Sequence, residues 1–278
     1  MPTNDNSHDI TALHEQNRAA WNEAANRYAR EVETDVAFLQ SGGKSFCEPE
    51  FAFLQNLDTW CQRAIHLQCA GGKDTLSLLN IGAREVIGVD ISDRMIEVAR
   101  AKSALLNAPA HWYRCDILET PDELNDTADL VYTGRGAICW IMDLDAWARV
   151  VARLLKPGGK LYLFDGHPVQ WMWDLDATEY RFDPNPLYSD YFTTGVVTEQ
   201  GWPASYIPAD AVPSTDQQAK KNERQWTVAA IVNAVIGAGL TIERLGEHPD
   251  PYWNQFPNMP DDIRRRLPNT FSLLASKS

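Results

Sequence analysis

No stretch of this chain approaches the ~20 consecutive apolar residues of a membrane span, so no membrane partner is expected. The first residues (Met1-Pro2-Thr3-Asn4-Asp5-Asn6-Ser7-His8-Asp9) lack a basic segment followed by an apolar one, and no secretory signal is expected. Cysteine is sparse: five residues (Cys47, Cys61, Cys69, Cys115, Cys139), odd in number and without a Cys-x-x-Cys. A disulfide framework and a zinc site lack support, no metal is expected, and a reducing cytoplasm fits better. Positive charge is short as well. Lys+Arg is 25 against 38 Asp+Glu, a net charge of −13, which repels a phosphate backbone and argues against a nucleic-acid partner. The single compact basic run, Arg264-Arg265-Arg266, reads as a solvated turn.

What is present is a globular composition. The chain has 278 residues, 44% hydrophobic and 23% charged, enough for one large α/β domain with an insertion. The spacing predicts helices over residues 11–33 and 50–60, separated by Gly42-Gly43. From residue 64 the rhythm changes. Strands are expected at 64–68, 85–90, 110–114, 128–133 and 160–165, with helices at 73–80, from Ser92 to about 107, and from Asp143 to about 155. Thr120-Pro121-Asp122-Glu123 has the spacing of a helix-starting capping box, and 156–160 reads as a turn. Strands alternating with helices imply a parallel, doubly wound sheet. The alternation stops at His167. Residues 168–225 are rich in Trp, Tyr, Pro and Asp without a long periodic segment, then a helix at 228–238 and strands at 240–245 and 270–275 close the chain.

The turn after the first strand, Gln68-Cys69-Ala70-Gly71-Gly72-Lys73-Asp74, is the most informative segment. A Gly pair there lets backbone approach a ligand closely. A phosphate loop fails, because Leu67 stands where it needs Gly and Asp74 where it needs Ser or Thr. A Gly-x-Gly-x-x-Gly dinucleotide turn fails too, which weakens a nicotinamide-dependent oxidoreductase. An S-adenosylmethionine turn and a tight turn with no ligand both stay open. Two acids favour the former. Asp90 ends strand two about twenty residues on, where an acid binds ribose hydroxyls. Asp116 follows strand three, where a carboxylate accepts from an adenine amine with Ile117 packed on the ring. Each is also read, singly, as a helix cap or solvated loop residue.

The chain resembles class I S-adenosylmethionine-dependent methyltransferases, and more narrowly a bacterial group of them. The resemblance rests on His66-Leu67-Gln68-Cys69, Asp74-Thr75-Leu76-Ser77, Tyr132-Thr133-Gly134-Arg135-Gly136-Ala137-Ile138-Cys139-Trp140, Leu154-Leu155-Lys156-Pro157-Gly158-Gly159 and Gly166-His167-Pro168. It spans about residues 15–170, with a looser match near Trp226 and Gln255-Phe256-Pro257. His66, Gln68 and Ala70 replace the broader superfamily's Asp and two Gly, as the subgroup does. The resemblance implies a Rossmann-like seven-stranded sheet whose last two strands pair antiparallel at the edge. It implies an N-terminal helical cap (1–60), a methyltransferase domain (61–278) and a substrate-cap insertion (168–225). It also implies S-adenosyl-L-methionine as cofactor, held by Tyr28, Gln68, Cys69, Ala70, Gly71, Asp90, Ile91, Met95, Asp116, Ile117, Thr133 and Gly134.

Methyl transfer from a sulfonium is an in-line displacement, so the protein mainly positions the partners and, for a hydroxyl or protonated amine, removes a proton. His167, after strand five, is the candidate base; the other reading makes it the cap of the turn before Pro168. Arg135 is a candidate partner for the donor's carboxylate, or an exposed loop residue. Trp140, Trp171, Trp173 and Tyr191 are the expected substrate contacts. They suit a planar aromatic small molecule or, with Asp174 and Asp176, a cationic amine. The function expected is methyl transfer to a small-molecule acceptor. The alternative is a non-catalytic donor-binding or regulatory module of the same fold.

Overall fold

The computed structural model describes residues 10–188, 190–193, 195–203 and 206–278. The polar stretch 1–9, where no secretory signal is expected, lies outside the described residues. Continuous apolar runs make the centre of the molecule. β1 (Arg63–Leu67), β2 (Glu85–Asp90), β3 (Ala110–Arg114), β4 (Ala128–Gly134) and β5 (Leu155–Gly166) lie parallel, with Ile65 opposite Ile87 on one side and Val131 on the other. β1, β2 and β4 are apolar and buried on both faces, as interior parallel strands must be, whereas β3 at the sheet's edge is half-buried, with His111 and Arg114 exposed. A separate antiparallel hairpin, β6 (Val196–Gln200) and β7 (Lys220–Arg224), occupies the insertion. The edge of the main sheet is β8 (Leu240–His248) and β9 (Thr270–Lys277), antiparallel to each other, and the strand order is β3-β2-β1-β4-β5-β9-β8. The expected Rossmann-like seven-stranded architecture with its antiparallel edge is therefore present.

The order reverses between β1 and β4, and such a reversal opens a crevice outside the carboxyl ends of the strands. The remaining elements are placed around it. α1 (Ile10–Arg30), α2 (Val32–Gln40) and α3 (Glu48–Leu54) precede the sheet, and α4 (Lys73–Leu79), α5 (Asp93–Leu106), α6 (Leu144–Leu154), α7 (Val228–Gly237) and the short α8 (Asp261–Arg264) follow. Two caps act as read from sequence: Ser92 accepts from the Met95 N–H at 3.1 Å and Asp143 from the Ala146 N–H at 2.8 Å. α6 presses a strongly apolar face onto the sheet, with Trp147 wholly buried among Leu144, Val151 and Leu154. Trp147→Ala is expected to cost about 3–5 kcal/mol through the cavity it leaves; a urea midpoint unchanged from wild type would contradict this packing.

Some elements differ from expectation. The first helix is two, α1 and α2, broken at Glu31, and the helix expected over 50–60 stops at Leu54. There Gln55 turns extended and Asn56 takes φ +64° before a single 3-10 turn. No helix follows Thr120: its hydroxyl donates to the Ile117 carbonyl, and only a 3-10 turn, Asp122–Leu124, fits before β4. The turn at 156–160 is built into β5 as an irregularity, with Gly158 at φ +80°. No helix among the described residues is long and apolar enough to cross a membrane.

Candidate functional site

The turn leaving β1 is strained. Gln68 (φ +58°) and Ala70 (φ +44°) are side-chain-bearing residues in the left-handed region. Gly72 (φ +76°) is required for a further reason: a Cβ there would lie 2.6 Å from the Trp112 ring and 2.7 Å from Ala99. Asp90 holds this turn. One carboxylate oxygen accepts from the Ala70 N–H at 2.8 Å, the other from the Ser92 N–H at 2.9 Å. Burial pushes the Asp90 carboxyl up to about 6, against the pull of those backbone bonds. Asp116, after β3, accepts from the Leu118 N–H at 2.9 Å and lies 2.5 Å from His14 Nδ1 on α1. Burial opposes its ionisation more than any one contact favours it, but the hydrogen bond from His14, the attraction of His14 and the Leu118 N–H together outweigh it, and the carboxyl sits below the usual range.

These residues border a cleft of about 290 Å³ at the switch point. The structure brings together there Tyr28, Gln68, Cys69, Ala70, Gly71, Asp90, Ile91, Asp116, Ile117, Gly134 and Trp140. Met95 and Thr133 do not reach it. Both are wholly buried, Met95 against Ala24, Ala25 and Ile207 in the floor below the turn.

His167 does not reach the cleft either. Its Nδ1 accepts from the Val169 N–H at 3.2 Å, capping the 3-10 turn Pro168–Met172, and its Nε2 lies 3.0 Å from Glu247 on β8. The position at the end of β5 is as expected, but the antiparallel edge strand takes up the imidazole. Trp171 borders a separate cavity of about 20 Å³. Trp173 stacks on Phe182, and the Tyr191 hydroxyl accepts from the Val228 N–H at 3.3 Å. Asp174 is engaged by Arg181, and neither it nor Asp176 borders the cleft.

α1 contributes more than sequence reasoning assigned to it. His14, Asn17, Trp21 and Tyr28 share one stripe of the helix and all line the cleft. His14 spans two loops, since its Nε2 also accepts from the Met142 N–H at 3.3 Å. A single neutral tautomer, protonated on Nδ1, satisfies both contacts. Asn22 accepts from Ser92 and Arg94, and Arg18 pairs with Asp93 at 2.7 Å, so α1 sits on both acid-bearing loops. Its other side grips the insertion: Asn17 exchanges hydrogen bonds with the Asn222 backbone, and the Tyr28 hydroxyl meets that of Tyr206 at 2.6 Å beneath the Arg27 guanidinium. His14→Ala is expected to cost about 1–3 kcal/mol of stability and to raise amide exchange across 10–30. Exchange unchanged in that segment would show that His14 does not pin α1.

The loop after β4 forms the opposite wall. Arg135 (φ +59°) lines the cleft and is held by Glu50 at 2.9 Å and Asp74 at 3.3 Å, so it is no exposed loop residue. Gly136, Ala137 and Ile138 direct their N–H groups at the buried carboxylate of Asp165, at 2.5, 3.0 and 2.9 Å. Gln68 Nε2 donates to the Ala137 carbonyl at 2.7 Å, while its Oε1 is buried with no partner. His66 lies beneath, hydrogen-bonded to the Thr75 hydroxyl at 2.8 Å, with its pKa pushed down by burial to about 4, so it is neutral at pH 7. Under Gly71, the fully buried Lys102 pairs with Asp35 at 2.7 Å.

Residues 64–159 match the family described as a methyltransferase domain. The ubiquinone biosynthesis O-methyltransferase of Neisseria meningitidis serogroup A is 28% identical over 121 residues, 43% of this chain and 51% of that protein. The chain thus spans about half the length of the curated relatives it matches. Among solved structures, a putative S-adenosylmethionine-dependent methyltransferase from Listeria monocytogenes superposes with TM-score 0.59 at 20% identity, covering 82% of this chain and 98% of that one. The geranyl diphosphate C-methyltransferase of Streptomyces coelicolor A3(2), solved with Mg2+, geranyl diphosphate and S-adenosyl-L-homocysteine, superposes with TM-score 0.54 at 15% identity, covering 83% and 78%. At these identities the shared property is the class I methyltransferase fold.

Proposed function

We propose that this chain is an S-adenosyl-L-methionine-dependent methyltransferase acting on a small-molecule acceptor. The observation that carries the reading is the cleft itself: at the switch point of a class I methyltransferase fold it gathers the strained Gln68–Gly71 turn, Asp90 and Asp116. The residues present fit the cofactor. Asp90 and Asp116 are acceptors at successive strand ends, Ile91 and Ile117 add apolar walls, Tyr28 covers Gly71, and the unpartnered Gln68 Oε1 calls for a donor group. In this reading Asp90 takes the ribose hydroxyls, Asp116 with Ile117 the adenine, and Tyr28 closes the turn from above.

The bound cofactor supplies a methyl group already activated by its sulfonium. The chain's own part is to hold and orient the acceptor and to exclude water. Trp21 and Trp140, ring centroids 5.2 Å apart, give the cleft flat apolar surface. Of the Tyr28 and Tyr206 hydroxyls, one donates to the other, which leaves a second hydroxyl hydrogen for an acceptor atom. The imidazoles lining the cleft, His14 and His66, are both committed to protein partners, so orientation carries more of the work than a histidine base. This surface suits a planar aromatic or amine-containing metabolite, with 168–225 as the cap. The free cysteines and the acidic surface accord with a cytoplasmic protein that does not bind nucleic acid.

The test is transfer of label from methyl-labelled donor to a panel of aromatic and amine acceptors by the purified chain. Transfer to a panel member supports the reading. Donor binding without transfer across the panel supports the non-catalytic donor-binding module, and no donor binding overturns both.

A further inference from the structure

Successive side chains of β7 point to opposite faces of its hairpin. On one face Asn222 donates to the Leu13 carbonyl of α1 at 3.2 Å, and Arg224 to the Met142 carbonyl at 2.8 Å. Lys221 and Glu223 share the other. Lys221 Nζ lies 5.9 Å from the Trp202 ring centroid. Trp202 packs in turn on Trp21, Trp140 and Tyr206, at 4.8, 5.9 and 6.0 Å between centroids, and those three line the cleft. β7 also packs against the 3-10 turn Ile138–Trp140. The cleft wall therefore continues from Trp140 and Tyr206 through Trp202 to the β7 face that carries Glu223.

Charge on that face is unbalanced. Lys221 pairs with Glu199 at 2.9 Å, and the Tyr188 hydroxyl donates to the same carboxylate. Glu223 keeps only the longer contact, 3.5 Å from Lys221, and no other side chain among the described residues pairs with it. One ammonium thus serves two carboxylates. The Glu223 side chain is 16% exposed, within reach of a ligand, yet burial raises its pKa against the pull of Lys221, with Glu199 adding to the rise. Tyr252 shares these surroundings. Its hydroxyl would lie 2.8 Å from a Cβ on Gly136, a cleft residue, and burial, followed by Asp165, Cys139, Tyr206 and Glu223, holds its phenol well above the usual range. A poorly paired carboxylate among aromatic rings is matched by a ligand cation, which pairs with the acid and is attracted by the ring faces.

We propose, on the methyl-donor reading of the cleft, that Glu223 determines acceptor specificity by holding the ammonium of an aromatic amine whose ring lies against Trp140, Trp202 and Tyr206. The ammonium is the anchor, whichever atom of the acceptor takes the methyl group.

The experiment is calorimetry on the chain saturated with S-adenosyl-L-homocysteine, wild type and Glu223→Gln. The probes are phenethylamine, tyramine and tryptamine, each against the alcohol in which a hydroxyl replaces the amine: 2-phenylethanol, tyrosol and tryptophol. Wild type is expected to bind at least one amine roughly tenfold or more tightly than its alcohol, the effect of a charge-assisted contact. Glu223→Gln, which keeps shape and loses charge, is expected to bring that pair within about twofold by weakening the amine alone. No amine bound by wild type, or no pair separated by more than about twofold, overturns the inference without any variant. A Glu223→Gln chain that keeps the preference, or weakens amine and alcohol in equal proportion, also overturns it and leaves Glu223 a structural partner of Lys221. If wild type does not bind S-adenosyl-L-homocysteine, the methyl-donor reading fails and takes this inference with it; in the other outcomes that reading stands.

Discussion

Asp90→Ala should weaken binding of S-adenosyl-L-homocysteine by about 3 kcal/mol, roughly a hundredfold, at pH 7.5. Two losses add. The ribose hydroxyls lose a charged acceptor, and the Ala70 N–H loses the bond that holds the left-handed turn in shape. The same carboxyl sets a pH dependence. Burial raises its pKa to about 6, and hydroxyl donors favour the ionised form, so binding releases a proton from this group. Affinity for the ligand is therefore expected to rise as pH increases from 5 through 6 and to level off above 7, and Asp90→Ala should remove this group's share of the rise. The sign for folding is opposite. A carboxyl whose pKa is raised in the fold contributes stability that is fully present below the unfolded value of ~3.9 and lost as pH rises through about 6. The ionised Asp90 therefore costs stability at neutral pH, which offsets part of what the variant loses when two backbone N–H groups lose their acceptor. The binding loss should exceed the folding loss. Calorimetry and urea unfolding on the same samples decide this; a variant that binds as wild type removes Asp90 from the site.

Asp165→Ala is expected to have the largest effect on folding. Four backbone N–H groups converge on this carboxylate: Gly136, Ala137 and Ile138 from the loop after β4, and Gly166 at 2.7 Å. Asp165 is 2% exposed, and burial raises its pKa against those four bonds. Each buried N–H left without an acceptor costs about 1–3 kcal/mol, and with partial recovery by water the sum expected is about 3–5 kcal/mol. Asp165→Asn should not rescue it. An amide accepts on one side only, and its nitrogen would face N–H donors on the other. Because the same loop carries Arg135 and Ala137 in the cleft wall, donor affinity should fall along with stability. An unfolding free energy of Asp165→Asn from urea titration within about 0.5 kcal/mol of wild type would show that the loop holds itself.

The interior parallel strands were legible because burial on both faces leaves apolar runs, and the half-buried edge strand β3 because strands alternate with helices around it. Asp90 was legible because it ends the β2 run, and Asp116 because it follows β3 at the neighbouring strand end. The hairpin in the insertion was not. β7 reads Lys220-Lys221-Asn222-Glu223-Arg224, where Asn222 turns inward to Asn17, 205 residues away, and no local alternation of polarity records that. The same long-range pairing hid the role of α1. Its period was clear, but the presence of His14 and Asn17 on the face that also carries Trp21 and Tyr28 was the available sign that this face meets polar loops as well as apolar core. His167 shows the converse. Its place at the end of β5 follows from the sequence, whereas Glu247, which takes up its ring, arrives from β8 through the antiparallel edge, 80 residues on. The Thr120 capping-box spacing misled because β4 begins at Ala128, leaving no length for a helix.

The account's central claim is that the cleft at the β1–β4 switch point holds the methyl donor. A crystal structure of the chain grown with S-adenosyl-L-homocysteine tests it most directly. The account predicts the nucleoside in that cleft, its ribose hydroxyls within hydrogen-bond reach of Asp90 and its adenine beside Asp116 and Ile117. Ligand bound elsewhere, or a cleft filled by the chain's own side chains at saturating ligand, would contradict it.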